Sequence, residues 1–262
     1  MTIEDKFVQL REKGEKALVL FVTAGDPSLE DLPEILAALH EGGADLIEVG
    51  IPFSDPIADG PTIQASSQRA LDRGVTPPAA IEAIKRSGLS IPCIVMGYTN
   101  SAFRCGYEAF ARQLQESGVN GSILSDLTPE EADDWIAASQ QHGLSNVFLA
   151  APTSTDQRLD AVCARSSGFV YAVSRTGVTG AGSEVPSDVR SLVQRIKKRT
   201  ALPVCVGFGI SKPEHVKMVC EVADGAVIGS WLVDFLQKEW RNGLGKENLV
   251  SAIKELKEAT RA

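Results

Sequence analysis

Short apolar runs recur along the chain, and each is followed by residues whose apolar positions have helical spacing. Apolar runs of this length, followed by Gly, Pro or Asn, are typical of buried parallel strands. Eight of them are found, at 18–23, 46–51, 92–96, 121–125, 146–150, 169–173, 203–207 and 224–228. The pattern therefore predicts eight parallel strands that alternate with helices.

Capping residues predict several helix boundaries. Residues 29–39 carry apolar side chains at helical spacing behind Asp26-Pro27-Ser28, and Gly42-Gly43 is expected to end this helix. The segments 128–131 and 211–214 each combine Ser or Thr with a following proline and an acidic residue. That combination is typical of a helix start.

Eight strand–helix units in 262 residues most simply close into a (β/α)8 TIM barrel, an α/β fold. We expect a single domain over 1–262, with an extra N-terminal helix and an additional helix in the gap 52–91, between strands 2 and 3. An open doubly wound sheet is the alternative. It would need a G-x-G-x-x-G turn after the first strand, and the turn at 23–27 lacks one.

Composition bears on partners and compartment. The chain has 34 acidic and 26 basic residues and no basic cluster, which argues against nucleic acid or an anionic membrane as partner. Its five cysteines show no C-x-x-C spacing, and several lie in or beside apolar runs, as reduced thiols do. No signal peptide or membrane-spanning run is visible, so we expect a cytoplasmic protein.

One carboxylate lies inside a predicted strand. In 46–50 (Leu-Ile-Glu-Val-Gly), period-two alternation puts Leu46 and Glu48 on one face and the β-branched Ile47 and Val49 on the other. The β-branched face should pack on helices, so Glu48 points into the barrel mouth. Apolar surroundings raise the pKa of a carboxyl and suit it to proton transfer. A structural carboxylate satisfied by backbone donors or a cation is the alternative.

The loop after this strand brings further acids toward the same mouth. Asp55 and Asp59 lie in 52–61, which three prolines and a glycine stiffen. Two acids from one loop could divide the roles of proton donor and charge stabiliser. Helix capping is an equally good explanation for Asp59, because Gly60-Pro61 leads into a helix.

Other chemistries find little support in the sequence. The three histidines, His40, His142 and His215, all fall in helical segments, which disfavours a metal site at the mouth. No lysine lies in a predicted strand to form a Schiff base. Cys205 lies in a strand, but without a histidine partner it is interpreted as a packed thiol.

Glycine-rich loops follow the last three strands. They are 174–182 after strand six, 207–211 after strand seven and Gly229-Ser230 after strand eight. Loops after strands seven and eight of such barrels often bind phosphate through backbone N–H groups. The longer loop after strand six suits a lid that closes over the ligand. We therefore expect a phosphorylated ligand.

The segment 46–61 (LIEVGIPFSDPIADGP) closely resembles the signature of the tryptophan synthase alpha subunit family. Further resemblances run the length of the chain, at 21–27, 151–153, 174–180 and 207–210. They imply a (β/α)8 lyase that splits indole-3-glycerol phosphate into indole and glyceraldehyde 3-phosphate. Such a retro-aldol cleavage needs neither metal nor lysine if protonation of indole C3 makes the ring the electron sink.

The resemblance also implies roles for individual residues. Glu48 matches the acid that moves protons at indole C3 and at the glycerol hydroxyl. Asp59 matches the acid that binds the indole N–H and stabilises positive charge on the ring. The other matches are to residues around the ring (Phe21, Tyr171), in the phosphate site (Gly180, Phe208, Gly209, Gly229, Ser230) and in the closing loop (Thr179).

The resemblance further implies a partner. The family's partner is a beta subunit that carries pyridoxal phosphate and receives indole through a tunnel in an alpha2beta2 complex, so no cofactor is expected in this chain. The loop 52–59, with Pro52, Phe53 and Pro56 expected to be exposed, resembles the surface that faces this partner.

Three places depart from the family pattern, at Ser101, at Ser125 and at 126–129 (Asp-Leu-Thr-Pro). They flank the expected indole slot. The alternatives are a lyase that works alone and releases free indole and a mainly regulatory subunit that activates the beta subunit. An unrelated phosphate-binding barrel is a further alternative, which the specific signature at 46–61 disfavours.

Overall fold

The computed structural model describes residues 1–173, 185–207 and 209–261. Every predicted strand is present in this part of the chain, the fifth as two short segments. The strands are β1 (Ala17–Thr23), β2 (Leu46–Gly50), β3 (Cys93–Gly97), β4 (Gly121–Leu124), β5 (Ser145–Asn146), β6 (Leu149–Ala150), β7 (Val170–Val173), β8 (Val204–Gly207) and β9 (Gly225–Ile228).

The strands form one parallel sheet in the order β5-β4-β3-β2-β1-β9-β8-β7-β6. Its two ends, β5 and β6, are consecutive parts of the segment 145–150; β5 pairs with β4 and β6 with β7. Backbone hydrogen bonds continue across this junction, from Val147 N to Ser122 O (3.0 Å) and from Tyr171 N to Phe148 O (3.1 Å). The sheet therefore closes on itself, and the predicted (β/α)8 barrel is confirmed.

Helices of the described ranges surround the barrel and include both predicted additions, the N-terminal helix α1 and a second helix between β2 and β3. A 3₁₀ turn spans Pro129–Glu131. The helices are α1 (Ile3–Glu12), α2 (Leu32–Gly42), α3 (Pro61–Asp72), α4 (Pro77–Ser87), α5 (Thr99–Cys105), α6 (Tyr107–Glu116), α7 (Asp133–Gln141), α8 (Asp156–Arg165), α9 (Ser187–Lys197), α10 (Pro213–Cys220), α11 (Ser230–Glu239) and α12 (Lys246–Glu258).

The capping signals predicted some helix boundaries correctly and misplaced two helix starts. Gly43 caps α2 in the left-handed region at φ +106°, and α10 begins at Pro213, both as predicted. The start of α2 was expected directly behind Ser28, but the helix begins at Leu32, because Ser28 Oγ accepts a hydrogen bond from Asp31 N within a preceding turn. After Thr128 the chain forms the 3₁₀ turn before α7 begins.

The buried residues fall into two clusters that follow the predicted alternation of the strands. One fills the barrel interior and includes Leu46, and α1 closes the bottom of the barrel with Ile3 and Phe7. The other lies between the barrel and its helices and includes Ile47 and Val49. Glu48 therefore shares the inward face of β2 with Leu46, as the alternation predicts.

A buried carboxylate joins three elements at the carboxyl end of the barrel. Asp26, in the turn after β1, accepts hydrogen bonds from Arg69 Nε (2.9 Å) and Nη2 (2.7 Å). Arg73 and Gln237 donate to the same carboxylate. Asp26 thus fixes the position of α3 relative to α11, the two helices whose N-termini flank the cavity described below.

All five cysteines are free thiols. Cys105 is exposed, and the other four, Cys93, Cys163, Cys205 and Cys220, are buried. In the ranges that the structure covers, no helix is long and apolar enough to cross a membrane.

Candidate active site

A cavity of about 580 Å³ opens at the carboxyl ends of the strands, the face at which barrel enzymes carry their catalytic groups. It is lined mainly by apolar side chains and by glycine. The described lining residues are Phe21, Ala58, Asp59, Gly60, Ile63, Met96, Leu149, Ala151, Pro152, Thr153, Tyr171, Val173, Asp188, Gly207, Gly209, Val227, Gly229 and Ser230.

Glu48 lies within β2, next to Phe21 of β1 and Ile94 of β3 in the strand register. Its side chain is fully buried, and neither carboxyl oxygen has a hydrogen-bond partner among the described residues. Burial in these apolar surroundings raises the pKa of Glu48 from 4.5 to about 8. The described part of the chain therefore offers no donor or cation that would make Glu48 a satisfied structural carboxylate.

The Glu48 carboxyl belongs to the barrel interior and is not part of the cavity wall. Its position nevertheless affects a lining residue, because burial and, next, the charge of Glu48 raise the pKa of Tyr171 well above its ordinary value. No hydrogen bond to a described residue holds the carboxyl group in this rotamer. Contact with a ligand requires the side chain to turn toward the cavity.

Asp59 lines the cavity and is positioned by Tyr98, which directly follows β3. Tyr98 Oη donates to Asp59 Oδ2 at 3.1 Å and accepts from Ala58 N at 3.0 Å. Burial raises the pKa of Asp59, and the hydrogen bond from Tyr98 partly opposes this shift. The residue at the N-terminus of α3 is Gly60, with no side-chain cap, so helix capping does not explain Asp59.

The rest of the loop differs from the prediction in two respects. Asp55 is exposed, and its carboxylate accepts a hydrogen bond from Ser54 Oγ. It does not line the cavity, so it does not turn toward the barrel mouth as predicted. Pro52 is buried and Phe53 and Pro56 are half-buried, contrary to the exposure expected for them. Phe53 is covered because its ring stacks on Tyr98, with centroids 4.8 Å apart.

The middle of the cavity is an apolar slot in which two of the predicted aromatic residues lie against glycine. A Cβ on Gly207 would lie 2.6 Å from Tyr171 Oη, and a Cβ on Gly50 would lie 2.6 Å from Phe21 Cζ. Larger residues at these positions would push the rings into the slot. The glycines therefore allow the rings of Phe21 and Tyr171 to lie close against the strands.

The end of the cavity near β8 and β9 has the features of an anion site. Gly209 adopts a left-handed conformation, φ +58°, which favours glycine. Gly229 and Ser230 form the N-terminus of α11, where no side chain caps the first-turn N–H groups. Free N–H groups at a helix N-terminus bind phosphate well. Asp188 also lines the cavity here, and its carboxylate accepts a hydrogen bond from Val189 N.

Some of the predicted site residues lie outside the described residues. They are Thr179, Gly180, Phe208 and the glycine-rich loop 174–182. Within the ranges described, Asp59, Phe21, Tyr171, Gly209, Gly229 and Ser230 come together around one cavity. No group of three or more His, Cys, Asp or Glu in those ranges could hold a metal ion.

Sequence reasoning missed several residues of the site, Tyr98 above all. It comes directly after β3, so its place at the carboxyl end of a strand was an available signal. Met96 and Leu149 line the slot from β3 and β6, and inward alternation along those strands could have identified them. Asp188, in the first turn of α9, carried no comparable signal.

Fold and site together define a (β/α)8-barrel enzyme. One buried acid lies beneath its cavity and a second acid lines the cavity. The cavity is apolar at its centre and rich in backbone N–H donors at one end. Comparison with known proteins narrows this class. A profile of the tryptophan synthase alpha chain family matches residues 7–261.

Individual relatives agree over nearly the whole length. The tryptophan synthase alpha chain of Geotalea daltonii is 48% identical over 258 residues, 96% of this chain and 97% of that protein. A crystal structure of tryptophan synthase from M. tuberculosis has a TM-score of 0.90 at 36% identity and covers 99% of both chains. Subunit alpha from Legionella pneumophila has a TM-score of 0.90 at 32% identity and covers 99% of this chain and 98% of its own.

The chain therefore belongs to the tryptophan synthase alpha chain family. It is a lyase that cleaves indole-3-glycerol phosphate in tryptophan biosynthesis. The resemblance in the sequence is confirmed at the level of fold, family and reaction.

Proposed function

We propose that Glu48 and Asp59 carry out this cleavage as a pair of acids with different roles. The observation that carries the proposal is the difference between their surroundings. Glu48 is fully buried without a partner and has a pKa raised to about 8, so it holds a proton near neutral pH. Asp59 faces the cavity; burial raises its pKa, and the hydrogen bond that it accepts from Tyr98 opposes this shift and favours the charged form.

The protonated Glu48 donates its proton to indole C3, which makes the ring an iminium cation. The resulting carboxylate then takes the proton of the hydroxyl on the carbon attached to C3. The bond between that carbon and C3 breaks, its electron pair returns to the ring, and indole and glyceraldehyde 3-phosphate separate. Glu48 ends protonated as it began, so the sequence balances without a co-reactant.

Asp59 acts on the opposite part of the ring. Its carboxylate accepts the indole N–H and stabilises the positive charge that develops on the ring nitrogen when C3 is protonated. Stabilisation of this kind acts mainly on the transition state and so raises the rate. The Tyr98 hydroxyl holds Asp59 toward the cavity.

The remaining contacts orient the substrate. The ring lies in the slot with Phe21 and Tyr171, and the phosphate lies at Gly209, Gly229 and Ser230. Gly180 and Phe208 complete the phosphate site and Thr179 closes over Asp59; these three roles rest on the resemblance to the family. The chain carries no cofactor of its own.

The partner of the chain is a beta subunit of tryptophan synthase. It carries pyridoxal phosphate, takes up the indole, and forms an alpha2beta2 complex with this chain in the cytoplasm. Ile57, at the tip of the loop 52–59, is 83% exposed and gives that surface an apolar contact. Rates of indole release with and without a beta subunit test this; equal rates would support a lyase that works alone.

Indole release from indole-3-glycerol phosphate by Glu48→Gln and Asp59→Asn tests the roles of the two acids. General acid–base groups contribute roughly 10²–10⁴-fold, so either variant should lose at least about a hundredfold in kcat. Asp55→Asn is the matched control, because it removes an exposed carboxylate from the same loop. Turnover retained in both variants, with circular dichroism unchanged, would refute the assignment.

A further inference from the structure

Ser125, at the carboxyl end of β4, carries a buried hydroxyl group. Its Oγ has no hydrogen-bond partner among the described residues, and its backbone N donates to Gly97 O at 2.9 Å. Alternation along β4 gives its direction. Ser122 Oγ accepts from Trp135 on the helix side, Ile123 belongs to the interior cluster, and Ser125 follows on the inward face.

A second cavity, of about 230 Å³, lies where Ser125 is found. It shares Leu149, Ala151 and Val173 with the main cavity, so the two spaces adjoin. The charged groups at its rim are already engaged: Asp126 accepts from Thr99 N and Oγ1, and Arg158 pairs with Glu130. Among the described residues that line this cavity, Ser125 carries the buried side-chain oxygen that lacks a hydrogen-bond partner.

The proposed placement of the substrate, taken with the order of the strands, indicates which part of it faces Ser125. The phosphate end of the main cavity lies at β8 and β9, and β4 is four places from β9 in the sheet order. In a closed barrel, that is the opposite side. With the phosphate at Gly229 and the ring nitrogen at Asp59, in the loop after β2, the benzo edge of the ring points toward β3 and β4.

We propose that the second cavity, with Ser125 as its polar contact, is a side pocket that accepts indole substrates carrying a hydroxyl group on the benzo ring. The inference rests on the proposed function, because that function sets the orientation of the ring. A buried hydroxyl without a partner is unfavourable, and a ligand hydroxyl would supply the missing hydrogen bond. Ser125 is thus a specificity-determining residue for the known reaction.

The reverse condensation tests the proposal with defined probes. Indole and each of the four isomers hydroxylated on the benzo ring are incubated with glyceraldehyde 3-phosphate and the purified chain, and kcat/KM is measured for each. The wild type should condense at least one isomer within about tenfold of indole. One hydrogen bond corresponds to roughly three- to tenfold, so Ser125→Ala should lower the hydroxyindole-to-indole ratio by about that factor.

Ser122→Ala is the matched control, since it makes the same substitution on the same strand but on the helix side. It should leave the ratio unchanged. A wild type that condenses indole but no hydroxyindole would overturn the side pocket, and so would an equal ratio in Ser125→Ala. Failure of the wild type to condense indole itself would instead contradict the proposed function.

Discussion

The buried state of Glu48 has a consequence for stability that can be measured without substrate. The unfolded chain should titrate Glu48 at its ordinary pKa of 4.5, whereas the folded protein holds the proton up to a pKa of about 8. Between these values the folded state binds more protons than the unfolded state, so stability falls as pH rises. Below about pH 4.5 the ionisation of Glu48 costs no stability, and above about pH 8 the loss of stability is complete.

Glu48→Gln removes this titration while keeping the shape of the side chain. Because one pKa unit corresponds to about 1.4 kcal/mol, the full shift corresponds to about 5 kcal/mol. The free energy of unfolding of the variant minus that of the wild type should therefore rise with pH. The expected slope is about 1.4 kcal/mol per pH unit, ending near the folded pKa of about 8.

Urea unfolding followed by tryptophan fluorescence, at pH values between about 5 and about 9, gives this difference directly. The slope carries the information, because the unpartnered amide adds an offset that does not depend on pH. Glu82→Gln, which removes an exposed carboxyl from α4, controls for the loss of one titratable side chain. A difference that stays constant over this range, or that falls as pH rises, would refute the buried, protonated Glu48.

Two further predictions concern the groups that position the site. Tyr98→Phe keeps the stack on Phe53 but removes the hydrogen bond that lowers the pKa of Asp59, so the acid limb of the pH profile of kcat/KM should move to higher pH. An acid limb at the wild-type pH would contradict the role of Tyr98. Asp26→Asn weakens the contacts of a buried carboxylate with Arg69, so the free energy of unfolding should fall by about 2–3 kcal/mol relative to the exposed control Asp72→Asn. Equal stability of the two variants would contradict the stabilising role of the Asp26 contacts.

Much of the fold could be predicted because its signals are local. Runs such as 46–51 are apolar enough to identify strands, and alternation within β2 correctly placed Glu48 and Leu46 inside the barrel and Val49 outside it. Gly43 ended α2 as expected, since a left-handed residue is a property of a few neighbouring positions.

The start of α2 was misplaced by a local turn at Ser28, but other predictions failed because the deciding contact joins residues far apart in sequence. Asp26 was taken as part of a helix start, but its carboxylate is bound by Arg69, 43 positions later. Asp59 could equally have been a cap, and the hydrogen bond that holds its side chain in the cavity wall comes from Tyr98, 39 positions away. The same tyrosine covers Phe53. Contacts of this kind depend on the closed barrel, which brings neighbouring loops together.

The most direct test of the paired acids is a crystal structure of Glu48→Gln soaked with indole-3-glycerol phosphate. The account predicts intact substrate, the ring nitrogen within about 3 Å of an Asp59 oxygen, and the side chain at position 48 within about 3.5 Å of indole C3. The phosphate should lie at Gly209, Gly229 and Ser230. A ring bound with its nitrogen turned away from Asp59, or with C3 out of reach of position 48, would contradict the account.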